Sequence, residues 1–430
     1  MVTNKVQFLI GACSSGGGKT TLSAGLMRAF SDRGREVQPY KCGPDYIDPF
    51  YHEMAAGRCS ANLDLWFASP GHLRSVYRKY GLDAGVCIAE GVMGLFDGYA
   101  GRLGSSAEVA LALGLPVVLL LDASAAAYSV APVLYGFKRF DPSLDIAGVI
   151  FNRVASEKHY RCLLDAADDV GVTSFGYLPA MKSLEVPSRH LGLTLESRAA
   201  MERVIVSVAK AVEEHVDLDL LERTCLLPFV ERAEPAVRQG NLKIAVARDD
   251  AFNFIYRENI ARLEELGTVS FFSPLADSEL PEADLLYLPG GYPEFHLKAL
   301  FENGVMRSAI RDYARSGGRL LAECGGMMYL CRHITGMDGR DYPMADVLPL
   351  DATMEGMRLH LGYRRVALGN TVYRGHEFHY SSVRGEMPSV ARLSDAAGNT
   401  VGTPMYRYKN TIAGYTHLYW GESDILKLWE

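Results

Sequence analysis

The 430-residue sequence lacks several features that would place it in a specialised class of proteins. It has no block of basic residues, and its 44 Lys and Arg against 51 Asp and Glu give a net charge of -7. Nucleic acids and anionic membranes are bound through clustered basic side chains, so neither is expected as the main partner. The eight cysteines include no CxxC pair, which argues against a zinc site or a disulfide framework and favours free thiols in a reducing compartment.

Long apolar segments are also missing. The run PVVLLL at 116–121 ends at Asp122 and falls well short of the ~20 residues that cross a bilayer. The apolar stretch at 6–10 is too short for a signal peptide and leads directly into glycines. We therefore expect a soluble, cytoplasmic protein.

Short apolar segments alternate with helical patterns along the chain. Those of the first half are apolar throughout, which is typical of strands covered by helices on both faces. They lie at 6–12, 36–41, 86–91, 116–123 and 146–154. The rhythm restarts at 242–248, 269–274, 283–291 and 318–326, and Tyr-rich alternating segments after 355 indicate an antiparallel extension. The sequence predicts an α/β protein whose first sheet is doubly wound and mostly parallel.

A chain of this length, with 48% hydrophobic and 22% charged side chains, is too long for one core. A charged, proline-containing stretch that ends in Gly240 and Asn241 separates the two α/β blocks. We predict a first domain at 1–225, a linker at 226–241 and a second domain at 242–430.

The segment SSGGGKTT at 14–21 follows a predicted strand and opens a predicted helix, which is the setting of a phosphate-binding P-loop. The motif G-x-x-x-x-G-K-[ST] lacks its first glycine, because Cys13 stands there. Three successive glycines still allow backbone N–H groups to surround an anion, while the lysine reaches phosphate and the next hydroxyl ligates Mg²⁺. The predicted nucleotide-binding residues are Gly16, Gly17, Gly18, Lys19, Thr20 and Thr21.

A P-loop works with Mg²⁺, which prefers hard oxygen ligands. KCGPDYIDP places Asp45 and Asp48 after the second predicted strand, and AEGVMGLFDG places Glu90 and Asp97 at and beyond the end of the third. Ligands of open α/β sheets bind outside the carboxyl ends of the strands, so these carboxylates are expected to converge on the γ-phosphate. The predicted metal ligands are Thr20, Asp45, Asp48 and Glu90.

AECGGMMYL places Cys324 on a turn between a strand and a helix. A thiol at a helix N-terminus has a lowered pKa and an exposed sulfur, so we predict that Cys324 is a nucleophile. Backbone N–H groups near Gly290 and Gly291 in LPGGYPE are candidates for an oxyanion hole. Spacing alone does not choose a base among the late histidines, which are His360, His376, His379 and His417.

In their order along nearly the full chain, these motifs closely resemble those of the cobyrinic acid a,c-diamide synthase family, glutamine-dependent amidases of corrin biosynthesis. The shared motifs are SSGGGKTT, KCGPDYIDP, NLD (62–64), EGVMGLFDG, PSRHLGL (187–193), PGGYPE, AECGGMMYL and GHEFHYS. The resemblance implies a dethiobiotin-synthetase-like P-loop domain fused to a class I glutamine amidotransferase domain with a flavodoxin-like α/β fold. It implies ATP and Mg²⁺ as cofactors, L-glutamine and a corrinoid polycarboxylate as substrates, and it leaves a homodimer open.

The resemblance also implies a reaction. ATP would phosphorylate a side-chain carboxylate of the corrin, and ammonia released from glutamine would displace the phosphate to give an amide. Cys324 would attack glutamine with His417 as its base, although Tyr419 stands where full triads carry a glutamate. Asp97 would position the carboxylate or the intermediate, and Asn152 would recognise adenine.

The remaining implied roles concern substrate binding. His376 and His379 would face the corrin or the other domain. The substrate-binding residues would be Lys41, Arg189, His190 and Arg198, with Gly290 and Gly291 on the glutamine side.

Other functions stay open at this point. The same motifs occur in amidases of hydrogenobyrinic acid and of nickel sirohydrochlorin, whereas KCGPDYIDP and EGVMGLFDG favour the a,c-diamide branch over cobyric acid synthase. A ParA-like ATPase switch with a degenerate glutaminase-like domain is the alternative from another class. Such a switch would carry a second lysine at the position of Ser14 and would not need Cys324 and His417.

Overall fold

A computed structural model describes residues 2–181, 195–230 and 239–430 of the chain. The chain divides into two compact units, Met1–Pro235 and Ala236–Glu430. None of the helices described is both long and apolar enough to cross a bilayer.

Unit 1 alternates strands and helices. Its described strands are β1 (Val2–Ala12), β2 (Val37–Cys42), β3 (Ala61–Leu63), β4 (Val86–Glu90), β5 (Val117–Asp122), β6 (Ile146–Val154), β7 (Ser174–Pro179) and β8 (Leu226–Val230). Its described helices are α1 (Lys19–Asp32), α2 (Asp48–Ala56), α3 (Pro70–Gly81), α4 (Ser106–Leu113), α5 (Val130–Phe140), α6 (Glu157–Asp169), α7 (Leu195–His215) and α8 (Leu218–Thr224).

The sheet of unit 1 has the order β3-β2-β4-β1-β5-β6-β7, and these neighbours are parallel. From Lys5 to Ala12, β1 is buried on both faces, which explains why this part of the strand is mostly apolar. Strand order reverses around β1, so the carboxyl ends of β1, β2 and β4 form one crevice of the kind that binds ligands in such sheets.

One boundary differs from the prediction. The stretch Leu226–Val230, placed at the start of the linker 226–241, forms β8 and pairs antiparallel with β1. It therefore belongs to the sheet of unit 1. It was not recognised as a strand from the sequence because its partner strand lies more than 200 residues earlier.

Unit 2 contains a six-stranded sheet and two smaller ones among its described residues. Its strands are β9 (Leu242–Ala247), β10 (Gly267–Phe272), β11 (Leu285–Leu288), β12 (Arg319–Glu323), β13 (His333–Thr335), β14 (Asp341–Pro343), β15 (Asp351–Thr353), β16 (His360–Leu368), β17 (Thr371–His379), β18 (Ser382–Arg384), β19 (Arg392–Ser394), β20 (Met405–Tyr408), β21 (Thr411–Gly414) and β22 (His417–Tyr419). Its helices are α9 (Arg257–Leu266), α10 (Leu297–Glu302), α11 (Gly304–Ser316) and α12 (Gly325–Leu330).

The main sheet of unit 2 has the order β10-β9-β11-β12-β21-β20, and only β20 runs antiparallel to its neighbour within it. The long hairpin of β16 and β17 realises the predicted antiparallel extension, and β22 pairs with β17 in the same small sheet. The predicted α/β class, with a mostly parallel first sheet, is confirmed.

Candidate active sites

The glycine-rich segment of unit 1 forms the turn between β1 and α1. Gly16 and Gly18 have φ angles of 75° and 97°, in the left-handed region that strains any residue with a side chain. Gly18 is the N-cap of α1, so Lys19, Thr20 and Thr21 are the first three residues of the helix. A glycine turn at the start of a helix is the backbone arrangement that binds phosphate.

Two side chains at the end of β6 brace this turn. Asn152 Nδ2 donates to the carbonyl of Gly17 at 2.7 Å, and the Arg153 guanidinium donates to the carbonyl of Gly16 at 3.2 Å. A Cβ at Gly18 would lie 2.2 Å from Asn152 Nδ2, so the turn leaves no room for a side chain there. Asn152 Oδ1 accepts from the backbone N–H of Arg153 at 2.9 Å. One N–H of the amide and one lone pair of its oxygen remain beyond these two bonds, and the adenine contact predicted for Asn152 stays a prediction.

Lys19 and Asp97 lie near the loop that follows β4. Lys19 Nζ donates to the carbonyl of Met93 at 2.5 Å, and Asp97 Oδ2 accepts from the backbone N–H of Gly94 at 2.9 Å. A Cβ at Gly94 would lie 2.8 Å from the carbonyl oxygen of Cys13, so this loop packs directly on the glycine-rich turn. The two residues thus share one neighbourhood, and their roles toward a substrate stay predictions.

A buried charged cluster lies where β2 and β4 end. Lys41 Nζ lies 2.5 Å from Asp48 Oδ2 and 2.8 Å from Glu90 Oε1, and these side chains are at most 3% exposed. Thr20 Oγ1 donates to Glu90 Oε1 at 2.9 Å, which ties the cluster to the glycine-rich turn. Burial alone would raise the pKa of Glu90, but Lys41 and His52 outweigh it and hold that pKa well below its ordinary value. Burial likewise opposes the charge on Lys41, yet the two carboxylates raise its pKa.

This arrangement bears on two predicted roles. Lys41, predicted to bind substrate, is 2% exposed and is paired with carboxylates, so a direct substrate contact is not supported. Asp45 Oδ1 accepts from the backbone N–H groups of Ile47 and Asp48 at 2.8 and 2.9 Å. Asp45 thereby shapes the start of α2, and its role as a metal ligand stays a prediction.

Thr20, Asp48 and Glu90 supply the hard oxygen donors that suit Mg²⁺. Among the described residues, no group of three or more His, Cys, Asp and Glu side chains is arranged to hold a metal ion by itself. In nucleotide sites, however, Mg²⁺ is held by one or two carboxylates together with phosphate oxygens and water. The donor set therefore fits Mg²⁺ that binds with a nucleotide.

The structure describes only some of the predicted substrate-binding cations. Arg189 and His190 lie outside the described residues. Arg198, on α7, has its guanidinium carbon 5.1 Å from the ring centre of Phe50 on α2. Arg198 thus lies against the helix that carries Asp48.

In unit 2, Cys324 lies on the predicted turn between β12 and α12. Its φ and ψ of 48° and -106° place a residue other than glycine in a strained conformation. Its backbone N–H donates to the carbonyl of Gly414, at the end of the neighbouring β21, at 2.7 Å. A strained residue between a strand and a helix is the arrangement by which α/β-hydrolases present their nucleophile.

His417 begins β22, three residues after the end of β21. A Cβ at Gly290 would lie 2.1 Å from Cε1 of His417, so this glycine packs directly against the imidazole ring. A Cβ at Gly325, the residue after Cys324, would lie 3.2 Å from the backbone nitrogen of Gly291. The structure therefore brings the glycine pair, the thiol turn and the histidine together, while the oxyanion hole stays a prediction.

Both side chains of this candidate site are buried, and burial favours the neutral form of each. Cys324 is 4% exposed, and burial, together with Glu294, raises the pKa of its thiol. Burial, with a contribution from His379, lowers the pKa of His417 to about 3. The prediction of an exposed thiol with a lowered pKa is wrong, because α12 has only six residues and burial dominates. A neutral imidazole can accept the proton of a neutral thiol, and the catalytic roles of the two side chains stay predictions.

Two other histidines pack near His417. His376 and His379, expected to face the corrin or the other domain, are 2% and 7% exposed and contact residues of unit 2. The ring of His376 stacks on that of His417 with centroids 5.1 Å apart, and its Nδ1 lies 2.8 Å from Tyr256 Oη. The His379 ring stacks on Tyr415 at 3.6 Å. Both histidines thus belong to the packing around the expected base.

Sequence reasoning missed Glu323, which directly precedes Cys324. Its Oε2 accepts from Tyr287 Oη at 2.7 Å, and its Oε1 accepts from the backbone N–H of Leu418 at 2.9 Å. Leu418 follows His417, so Glu323 links the strand before the thiol to the strand that carries the histidine. Burial raises the pKa of Glu323 to about 8. A charged residue at the end of an apolar strand was the available signal.

It also missed His52 on α2. This side chain is fully buried, and its Nε2 lies 2.7 Å from Glu90 Oε2. Its position four residues after Asp48 puts both on one face of α2, but nothing in the sequence names Glu90 as the partner.

Comparisons with known proteins match each half of the chain to a known domain family. Residues 8–193 match the CobQ/CobB/MinD/ParA nucleotide binding domain, and residues 243–425 match the CobB/CobQ-like glutamine amidotransferase domain. The class is therefore that of proteins in which a nucleotide-binding domain and a glutamine amidotransferase domain share one chain.

Relatives of similar length narrow the class. The chain is 40% identical over 428 residues to the hydrogenobyrinate a,c-diamide synthase of Brucella suis biovar 1, which covers 96% of this chain and 98% of that protein. It is 37% identical over 427 residues to the cobyrinate a,c-diamide synthase of Caldanaerobacter subterraneus subsp. tengcongensis, with 96% and 94% covered. It is 38% identical over 440 residues to the cobyrinate a,c-diamide synthase of Streptococcus sanguinis, with 98% and 97% covered. The chain belongs to the family of cobyrinate and hydrogenobyrinate a,c-diamide synthases, an enzyme family of amidating ligases, as its motifs predicted.

Proposed function

We propose that this enzyme uses ATP and L-glutamine to convert the a and c side-chain carboxylates of cobyrinic acid, or of metal-free hydrogenobyrinic acid, into amides. The observation that carries the proposal is that one chain holds both halves of such chemistry. A glycine-rich turn meets the buried Glu90 through Thr20 in unit 1, and a strained Cys324 lies near His417 in unit 2.

The first half activates the acceptor. A carboxylate resists attack by ammonia because it is resonance-stabilised and negatively charged, and transfer of the γ-phosphate to one of its oxygens creates a leaving group. Phosphoryl transfer depends on positioning and on neutralising charge. The backbone of the glycine turn and Lys19 would hold the phosphates, while Asp97 would position the acceptor. Mg²⁺, held by Thr20, Asp48 and Glu90, would neutralise phosphate charge when bound.

The second half releases ammonia. The Cys324 thiol passes its proton to neutral His417 as the sulfur attacks the side-chain amide carbon of glutamine. His417 then returns the proton to the departing nitrogen, and water hydrolyses the resulting thioester to glutamate. Burial lowers the pKa of His417, so the imidazole is unprotonated before the attack.

Two corrins are proposed as acceptors, because relatives named as hydrogenobyrinate and as cobyrinate a,c-diamide synthases both match nearly the whole chain. An acidic protein that binds a polycarboxylate needs local cations, and bidentate arginine suits carboxylates. Arg189, His190 and Arg198 are the proposed set. The eight free cysteines support a reducing cytoplasm as the site of action. The ParA-like switch is not proposed, because the full-length relatives reported above carry synthase names.

The decisive substrate experiment incubates the enzyme with ATP, MgCl₂ and glutamine and one of three tetrapyrroles, followed by mass spectrometry. We expect a diamide from cobyrinic or hydrogenobyrinic acid. A product from nickel sirohydrochlorin alone would contradict the proposed substrate. ATP hydrolysis that needs neither glutamine nor a tetrapyrrole would contradict amidation altogether.

A second experiment separates ATP-dependent amidation from glutamine hydrolysis. Lys19→Ala should remove ATP-dependent amidation, because the loop loses its phosphate-binding cation, while glutamine hydrolysis at least partly survives. Undiminished amide synthesis by this variant would overturn the assignment of the P-loop.

A further inference from the structure

His52 connects α2 to the end of β4. It lies one helical turn after Asp48, so α2 presents both side chains to the charged cluster on one face. The His52 Nε2 lies 2.7 Å from Glu90 Oε2, and its Nδ1 lies 3.1 Å from Ser60 Oγ. His52 and Glu90 are fully buried, and Ser60 is 7% exposed. The imidazole is therefore held at both nitrogens.

The two oxygens of Glu90 have different partners. Oε1 accepts from Thr20 and from Lys41, whereas Oε2 faces His52. An ionised carboxylate only accepts hydrogen bonds, so His52 Nε2 carries the hydrogen, and the Ser60 hydroxyl can complement Nδ1 either as donor or as acceptor.

This division of partners matters because the terminal torsion of a glutamate has a broad energy profile. A carboxylate held only through Oε1 would be able to turn, which would change the direction in which its lone pairs point. His52 fixes the second oxygen and so sets the plane of the Glu90 carboxylate.

We propose that His52 is a positioning residue of the phosphoryl-transfer site, which holds the Glu90 carboxylate so that Oε1 faces Thr20 and the glycine-rich turn, where Mg²⁺ arrives with the nucleotide. The inference rests on the proposed function, since it requires a magnesium–nucleotide complex at this turn. Loss of a hydrogen-bond partner behind a metal ligand typically weakens metal affinity ~10–100-fold.

The test measures binding of a non-hydrolysable ATP analogue by calorimetry over a series of MgCl₂ concentrations. His52→Leu removes the donor and keeps an apolar side chain of similar bulk. It should raise the half-saturating Mg²⁺ concentration ~10–100-fold. His52→Gln keeps an N–H group near the position of Nε2 and should recover most of the affinity. Ser60→Ala retains the ring and should shift the Mg²⁺ dependence less, in the same direction.

His215→Leu is the matched control. This histidine stacks on Tyr177 of β7, at the far edge of the same sheet, with ring centroids 4.7 Å apart. It should leave the Mg²⁺ dependence unchanged. A thermal unfolding curve of each variant separates a loss of folding from a loss of positioning.

The outcomes distinguish a failure of the inference about His52 from a failure of the proposed function. If the unmodified enzyme does not bind the analogue with Mg²⁺, the proposed function fails. If it does, and folded His52→Leu keeps the same Mg²⁺ dependence, only the role of His52 is refuted. Equal losses in His52→Gln and His52→Leu would also refute it, as would an unfolded His52→Leu combined with a normal Mg²⁺ dependence in Ser60→Ala.

Discussion

The two candidate sites bury their polar groups in opposite ways. In unit 1, Lys41, Asp48 and Glu90 are buried as charges. One oxygen of each carboxylate lies 2.5 Å (Asp48) or 2.8 Å (Glu90) from the ammonium nitrogen of Lys41. In unit 2, Cys324 and His417 are buried as neutral groups, because desolvation moves the pKa of each away from its charged form. Both sites are buried, and the presence of a close opposite charge decides whether their groups are charged or neutral.

This difference suits the two reactions proposed. Transfer of a phosphoryl group needs fixed charges around a highly charged ligand, and a paired cluster supplies them in place. Attack by a thiol requires one proton to move between two groups, and Cys324 and His417 start in the forms that donate and accept that proton. Disrupting each arrangement should therefore have different consequences.

The largest effect is expected from Lys41→Met. This change leaves Asp48 and Glu90 buried without their shared cation, and breaking a buried ion pair from one side costs about 3–5 kcal/mol. Urea unfolding of the full chain, followed by a probe in unit 1, measures the loss of unfolding free energy. Lys210→Met, which removes an exposed ammonium paired with Glu214, is the control and should change little. Equal effects of the two substitutions would show that the cluster is not held by its lysine.

Next comes Gly290→Ala. The added methyl group would lie 2.1 Å from His417 Cε1, so the imidazole must move. A displacement of this kind lowers a catalytic rate by ~10²-fold, and release of glutamate from glutamine measures it. Gly402→Ala is the matched control, since no atom lies within 4 Å of the Cβ position there. A normal rate in Gly290→Ala would remove His417 from the proposed mechanism.

The smallest effect concerns pH. The pKa of His417 is about 3 in the folded protein, against an ordinary value of ~6.5 in the unfolded chain. Below pH ~6.5 the unfolded chain takes up a proton that the folded site refuses, so the unfolding free energy falls by about 1.4 kcal/mol per pH unit, and above that pH this contribution vanishes.

His417→Gln removes this contribution. Its unfolding free energy should therefore fall less steeply than that of the unmodified protein between pH 7 and 5, by about 2 kcal/mol in total. Urea titrations at pH 7, 6 and 5 make the comparison. Parallel curves would mean that the histidine is not buried in its neutral form.

The sequence predicted those features that depend on local pattern. Apolar runs such as 116–123 identified central strands, and the glycines around Lys19 identified the phosphate-binding turn. The turn at Cys324 was also found, because a short motif between strand and helix patterns defines it. Partners far apart in sequence were not found: β8 joins β1 across more than 200 residues, and His52 meets Glu90 from another element.

The error over the Cys324 thiol has a related cause. The motif shows that a helix follows the cysteine, but the length of that helix and the burial of the sulfur depend on packing from other parts of unit 2. The same limit applies to Asn152, whose position at a strand end was clear and whose contact with Gly17 was not.

The most direct test of two separate half-reactions in one chain uses Cys324→Ala. Amide formation on the corrin is measured by mass spectrometry, once with glutamine and once with ammonium chloride as the nitrogen source. The account predicts at least a ~10³-fold loss with glutamine and near-normal synthesis with ammonium, since the charged cluster of unit 1 is untouched. Loss of synthesis with both nitrogen sources, or continued use of glutamine, would contradict it.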